Sequence, residues 1–249
     1  MSNKLSVVMI TKNEESNIEA SLKSIQWADE IVVYDSGSSD ETVAICRKFG
    51  CKVIQGPWKG FGPTKRMAVE HATFDWILSL DADERVSDPL RLRIQQILIH
   101  PECHGYRIRR HSYYLGHRIR FSGWQFDRPL RLFHRQFGNF NEKVVHESVR
   151  IHGPVGNITE PIVHYPYPTL ESHIAKMSRY AFLAAQGTPR HRCKNLGCVL
   201  FHGVHKFLKM YVFQFGFLDG WPGLVLAKNS AFGVYLKYLN LWLEAKTKP

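Results

Sequence analysis

The stretch Trp76-Ile77-Leu78-Ser79-Leu80-Asp81-Ala82-Asp83-Glu84 decides how this chain is read. An apolar run suited to a buried strand leads directly into two carboxylates separated by one small residue. In open parallel sheets, ligands bind beyond the carboxyl ends of the strands. Carboxylates placed there can meet a divalent cation and the ribose or phosphates of a nucleotide. An Asp-x-Asp triplet alone says little; its position at the end of an apolar strand gives it weight.

Working outward, the same pattern repeats. Leu5 to Ile10 and Ile31 to Tyr34 are continuous apolar runs rich in β-branched residues, and Lys52 to Gln55 is a shorter one. Between them apolar residues recur at helical spacing: Ile18, Leu22 and Ile25; Val43, Ala44 and Phe49; Met67, Ala68 and Ala72. Apolar strands alternating with helices predict an α/β domain with a mostly parallel sheet covered on both faces. Ser39-Asp40 before Glu41-Thr42 supplies N-cap chemistry, and Ser87-Asp88-Pro89 opens a helix through about Ile99. The first strand runs into Thr11-Lys12-Asn13-Glu14-Glu15 and the second into Asp35-Ser36-Gly37-Ser38-Ser39-Asp40, so three strand ends carry polar clusters.

After His100 the pattern changes. Gly105 to Arg110 and Pro129 to His134 read as strands, Gly153 to Pro168 reads as a loop, and the remainder reads as helical. The expected division is a nucleotide-binding core over 1–165 and a helical, basic region over 166–249.

The chain has 249 residues and a formal net charge of +11, which favours an anionic partner. Eight arginines fall between Gly105 and Arg135 against one acid, Asp127, and eleven Lys plus Arg follow Pro166 against three acids. Arg128, Arg131 and Arg135 are suited to holding a diphosphate or an anionic acceptor. From Leu200 to Leu218, apolar residues at 200, 204, 207, 208, 211, 215 and 218 alternate with His202, His205, Lys206 and Lys209, giving a basic amphipathic helix suited to a membrane interface. Val234 to Trp242 is similar in character. No apolar run is long enough to span a bilayer. The N-terminus lacks a signal-peptide pattern, and the five cysteines, Cys193 and Cys198 among them, form no zinc-type set. The expected setting is therefore the cytoplasm, peripheral at the inner membrane face.

Ser6-Val-Val-Met-Ile-Thr-Lys-Asn-Glu14, Asp35-Ser-Gly-Ser-Ser-Asp-Glu-Thr42 and Leu80-Asp-Ala-Asp-Glu84, in that order, resemble the signatures of family 2 glycosyltransferases, which have the Rossmann-like GT-A fold. The resemblance covers about residues 4 to 165. Gly123-Trp124, Asp127, Arg131-Leu-Phe133 and Val145-His-Glu147 narrow it towards the lipopolysaccharide-core β-1,4-glucosyltransferases that modify inner-core heptose. It implies an inverting transfer from UDP-glucose, with Mg²⁺ or Mn²⁺ as cofactor, and the basic tail suits a lipid-linked anionic acceptor. Asp35 would bind the uracil, Asp81 the ribose or donor sugar, and Asp83 the metal. Thr11 and Glu14 would line the nucleotide pocket, Lys65 and Arg66 would lie near it, and His164 would add a third metal ligand. The family places its catalytic base in a later acidic motif; here His146-Glu147 stands in that place. Glu147 is the expected base and Asp127 the runner-up.

Two other classes fit parts of the sequence. A sugar-nucleotide nucleotidyltransferase would need a glycine-rich loop after the first strand, which Thr11-Lys12-Asn13-Glu14 lacks. A nonenzymatic nucleic-acid-binding protein would use the charge but leave three acidic strand ends without a purpose.

Overall fold

The computed structural model describes residues 3–142, 147–186, 188 and 195–247. His146 and Cys193 lie outside them. The chain forms two compact units: residues 1–110 with 128–164, and residues 111–127 with 165–249.

The first unit is built on β1 (Leu5–Thr11), β2 (Glu30–Asp35), β3 (Lys52–Gln55) and β4 (Trp76–Ser79), which pair in parallel in the order β3-β2-β1-β4. The sheet continues through β8 (Leu130–His134), β6 (Gly105–Tyr114), β11 (Val155–Tyr167) and β5 (Glu84–Val86). The pairings β4–β8, β6–β8 and β11–β5 are antiparallel. The parallel part lies in the first hundred residues, where helices join successive strands.

Alternation along β1 explains the two-faced covering. Leu5, Val7 and Met9 pack with Ile18 and Leu22 of α1 (Glu15–Lys23), Cys46 of α2 (Thr42–Lys48), and Leu90 and Ile94 of α4 (Asp88–Ile99). Val8 points the other way, joining Val32, Tyr34 and Ala68 and Val69 of α3 (Phe61–Glu70). Ser87 caps α4, its hydroxyl accepting from Leu90 N–H at 3.4 Å. Two-stranded β9 (Gly138–Phe140) and β10 (Val149–Ile151) form a separate hairpin.

The loop expected over 153–168 is instead mostly the long strand β11. Its prolines and glycines pointed away from a strand, but β5 is short and pairs only with Ile162–His164. Pro161 and Pro166 therefore fall where no β5 hydrogen bond is required.

The second unit holds β7 (His117–Arg118), a 3-10 turn at Trp124–Phe126, α5 (Leu170–Gln186), α6 (Leu196–Leu208) and α7 (Gly220–Thr247). Between α6 and α7 come a π-helical turn, Lys209–Phe213, and a 3-10 turn, Gly216–Asp219. Tyr114, Ile119, Met210, Leu226 and Ala227 make its core. Among the described residues no helix is long and apolar enough to cross a membrane.

A buried histidine makes this unit acid-sensitive. The Tyr114 hydroxyl lies 2.8 Å from His173 Nδ1 while Asn229 Nδ2 donates to that hydroxyl at 3.3 Å, so the phenol donates to an unprotonated ring nitrogen. Burial pushes His173 down to about 4. The unfolded chain, with an ordinary histidine near 6.5, then binds the extra proton first as pH falls. Stability is complete above pH ~6.5 and falls by about 3 kcal/mol as pH drops towards ~4. Urea unfolding across that range is expected to show the loss. His173→Asn, whose Oδ1 can accept from Tyr114, should flatten it; an unchanged slope in that variant would show that another group governs it.

Candidate active site

The carboxyl ends of β1 and β2 meet at Thr11 and Asp35, which are register partners. Asp35 is fully buried. One carboxylate oxygen accepts from the N–H groups of Gly37 (3.1 Å) and Ser38 (3.0 Å); the other accepts from the hydroxyls of Thr11 (3.2 Å) and Ser38. A carboxylate has about four acceptor positions, and all are used here. The uracil contact expected of Asp35 therefore meets a group already satisfied by the loop it organises. Around it the two loops interlock. Asn13, at a positive φ of 55, accepts from Ser39 N–H at 2.8 Å, and Glu14 N–H donates to the Thr42 hydroxyl at 2.8 Å. The Glu14 carboxylate accepts from Asn17 at 2.9 Å.

One strand over, β4 delivers Asp81 into a cluster of six charges. Lys65, on the inner face of α3, places Nζ 2.8 Å from Asp81 Oδ1 and 2.8 Å from Glu147 Oε1. Arg131, from β8, joins Asp81 to Glu84, the latter at 3.0 Å. Arg110, from β6, reaches Glu84 at 2.6 Å and Asp81 at 3.4 Å. Glu84 also accepts from the Asp81 N–H at 2.8 Å, which closes the turn after β4. Three cations face three carboxylates, so the cluster is neutral, as burial requires. Burial pushes the Asp81 carboxyl up, yet Arg131, Lys65 and Arg110 together hold it well below the usual carboxylate range. Burial works against the Arg131 guanidinium, and Asp81 and Glu84 more than offset it, raising it above its ordinary value.

Asp83 stands beside this cluster. The pairing of β11 with β5 sets His164 opposite Glu84 and brings His164 Nε2 to 3.5 Å from Asp83 Oδ1. Both side chains are mostly, not wholly, covered (15% and 12% exposed). Among the described residues no three His, Cys, Asp or Glu converge as a metal cluster. One carboxylate and one imidazole would suit a divalent cation such as Mn²⁺, with phosphate oxygens and water completing its ligands; Mg²⁺ would draw chiefly on the carboxylate.

The structure thus brings together Lys65, Asp81, Arg131 and Glu147, joins Asp83 to His164, and joins Thr11 to Asp35. It separates Arg66, which pairs with Glu142 at 3.3 Å and lines a cavity of about 810 Å³ with Arg135, Arg150 and His152. Neighbouring positions on a helix face different ways, so Lys65 turns in and Arg66 out. Arg131, expected to hold a diphosphate, is buried with its charge spent on Asp81 and Glu84. Asp127 follows the turn at Trp124–Phe126 and belongs to the second unit. Glu84 and Arg110 were not singled out from sequence. Glu84 adjoins the Asp-x-Asp triplet, which was a usable signal; nothing distinguished Arg110 from its seven neighbouring arginines.

Residues 6–153 match the glycosyl transferase family 2 profile. The chain belongs to that family. This family 2 glycosyltransferase is 28% identical over 250 residues to the lipopolysaccharide core biosynthesis glycosyltransferase LpsC of Rhizobium meliloti (strain 1021), covering 94% of this chain and 93% of that one. It is 29% identical over 252 residues to an uncharacterized glycosyltransferase of Rickettsia felis, covering 96% and 89%. A Mycobacterium tuberculosis glucosyl-3-phosphoglycerate synthase, solved with Mn²⁺, UDP-glucose and phosphoglyceric acid, aligns over 45% of this chain and 44% of its own, at 26% identity and a TM-score of 0.37. The α/β core followed by a helical C-terminal region is the GT-A arrangement that the motifs imply. Membership disfavours the nucleic-acid-binding reading of the charge.

Proposed function

We propose that this glycosyltransferase moves a hexose, glucose from UDP-glucose first among donors, to an inner-core heptose of a lipid-linked, phosphorylated acceptor at the cytoplasmic membrane face. The reading rests on family membership, on the likeness to a lipopolysaccharide core enzyme, and on one observation in the site. That observation is the Asp83–His164 pair at the carboxyl ends of the strands, set against a charge-neutral cluster. The three carboxylates of that cluster are matched by Lys65, Arg110 and Arg131, whereas Asp83 faces the His164 imidazole, a second group able to bind a cation.

Asp83 and His164 would hold the divalent cation. The cation, when bound, would neutralise charge that builds on the leaving diphosphate. Asp81, by contrast, orients Lys65 and through it Glu147. Thr11, Asp35 and the interlocked 13–15 and 36–42 loops form the rigid floor on which a nucleotide would sit. Inversion in a single displacement requires a base on the acceptor side; we assign it to Glu147, whose Oε1 is fixed by Lys65.

The test is a panel of UDP- and GDP-sugars with a core-lipid acceptor extract, with and without Mn²⁺. One UDP-hexose should turn over, and Asp83→Ala should lower that rate by about 10²–10³-fold, the scale for losing one stabiliser of developing charge. Turnover that is indifferent to both metal and Asp83 would overturn the metal assignment. A preference for GDP-sugars would overturn the donor.

A further inference from the structure

The sequence predicts an amphipathic helix near Leu200–Leu218, and an apolar stripe of that kind ordinarily packs inward. In the second unit only Phe207 and Tyr211 of that stripe pack on the core. Val199 and Gly203 of α6 turn inward, with Gly203 approaching Tyr235 of α7, while Leu200, Val204 and Leu208 are exposed. The exposed apolar surface continues around the turn between α6 and α7: Phe213 is 74% exposed, Phe215 52%, Phe217 46%, Leu218 56% and Trp221 54%. Monomeric soluble proteins rarely show so many large apolar side chains in one continuous stretch.

The tip is rigidly built. Gln214 O accepts from Ser122 N–H at 2.9 Å, and Asp219 accepts from the N–H groups of Arg120 (2.8 Å) and Phe121 (3.0 Å). A Cβ on Gly123 would lie 2.5 Å from Gln214 Oε1, so that glycine permits the close approach. Phe215 holds a positive φ of 57, which a bulky L-residue rarely adopts. The fold thus keeps a strained residue whose ring, set beside Phe217, stays half exposed.

We infer that the α6–α7 turn is a wedge that inserts into an anionic lipid surface, with Phe213, Phe215, Phe217, Leu218 and Trp221 entering the headgroup–acyl boundary. Charge selects the occupant. From residue 196 to 243 the only acid is Asp219, committed to backbone N–H groups, against Lys206, Lys209, Lys228 and Lys237. A second copy of the chain on this face would set these lysines against their own images. Anionic lipid attracts them, and Trp and Phe rings favour the boundary depth. The wedge sharpens the membrane-surface part of the proposed function and is independent of the donor assignment.

Co-sedimentation of the full chain with phosphatidylcholine vesicles, with and without phosphatidylglycerol and with no nucleotide sugar, tests the wedge apart from the transferase reading. Wild type should bind phosphatidylglycerol vesicles, and Phe213→Ser with Phe215→Gly should weaken binding by at least ~10-fold. Gly suits the positive φ at 215, so the variant should keep its circular dichroism spectrum and urea midpoint. Lys206→Gln with Lys209→Gln should reduce the preference for phosphatidylglycerol, and Leu92→Ser, an exposed apolar site on α4, should change nothing. Equal binding by wild type and the tip variant would overturn the wedge. So would a wild-type dimer that ignores vesicles and becomes a monomer when the tip is altered.

Discussion

Glu147→Gln is expected to lower kcat for sugar transfer by ~10²–10⁴, the range for losing a general base. Its affinity for UDP should stay within about twofold, because a group that acts on the acceptor contributes to the transition state and not to nucleotide binding. The geometry supports both halves. Lys65 Nζ binds Glu147 Oε1 at 2.8 Å and Asp81 Oδ1 at 2.8 Å, so one buried cation fixes the carboxylate relative to the strand end. The side chain keeps 19% exposure, so the rest of the carboxylate is within reach of an incoming hydroxyl. Gln retains an acceptor for Lys65 and nearly the same shape, so a purely structural role predicts a small loss of stability with kcat nearly intact. Single-turnover transfer, UDP titration and a urea melt on the same variant separate the two roles. Asp127→Asn, run alongside, should alter kcat by less than about threefold. The reverse pattern, with Asp127 essential and Glu147 dispensable, would move the base to the second unit.

Several parts of this arrangement were legible before any coordinates. The parallel half of the sheet follows from continuous apolar runs separated by helical spacing, and each run ends on its polar cluster within one or two residues of the observed strand end. Ser87 announced α4 because an N-cap followed by Pro is a local signal with a local cause. The resemblance implied Asp83 and His164 as metal ligands; that they lie side by side was not legible, because it depends on the pairing of β11, whose prolines read as a loop.

Other features were hidden because they depend on distant partners. Arg131 lies in a strand of the sequence Leu-Arg-Leu-Phe-His, where alternation suggests that some positions face water. β8, however, runs between β4 and β6, and Leu130 to Phe133 are all buried. Whether Lys65 or Arg66 faced inward could not be settled by helical spacing, since the register of α3 is set by packing of Ala68 and Val69. The segment 111–127 joins the second unit through contacts such as Arg120 to Asp219, ninety-nine residues apart, for which neighbouring sequence offers no sign.

Arg131→Met tests whether the six-charge cluster holds the first unit together. The variant is expected to lose about 3–5 kcal/mol of stability, the usual cost of removing one partner from a buried ion pair. Glu84 is fully buried and Arg131 nearly so, so neither charge has water to fall back on. With Arg131 gone, Asp81, Glu84 and Glu147 face only Lys65 and Arg110, and one negative charge is left over in a covered site. The unit can respond by taking up a proton or by opening, and either lowers its stability. Adding Glu84→Gln to the variant restores charge balance and should recover a large part of the loss, although the Gln still occupies the position that closes the Asp81 turn. Arg131→Lys should fall between, because a single ammonium cannot bridge Asp81 and Glu84 as a planar guanidinium does. Urea unfolding of the single and double variants gives the coupling directly. A stable Arg131→Met that instead loses UDP affinity would return Arg131 to the diphosphate role suggested by its sequence. The buried bridge to Glu84 and the satisfied Asp81 oxygens argue for the structural outcome, in which this arginine acts on the donor only by keeping the end of β4 in place.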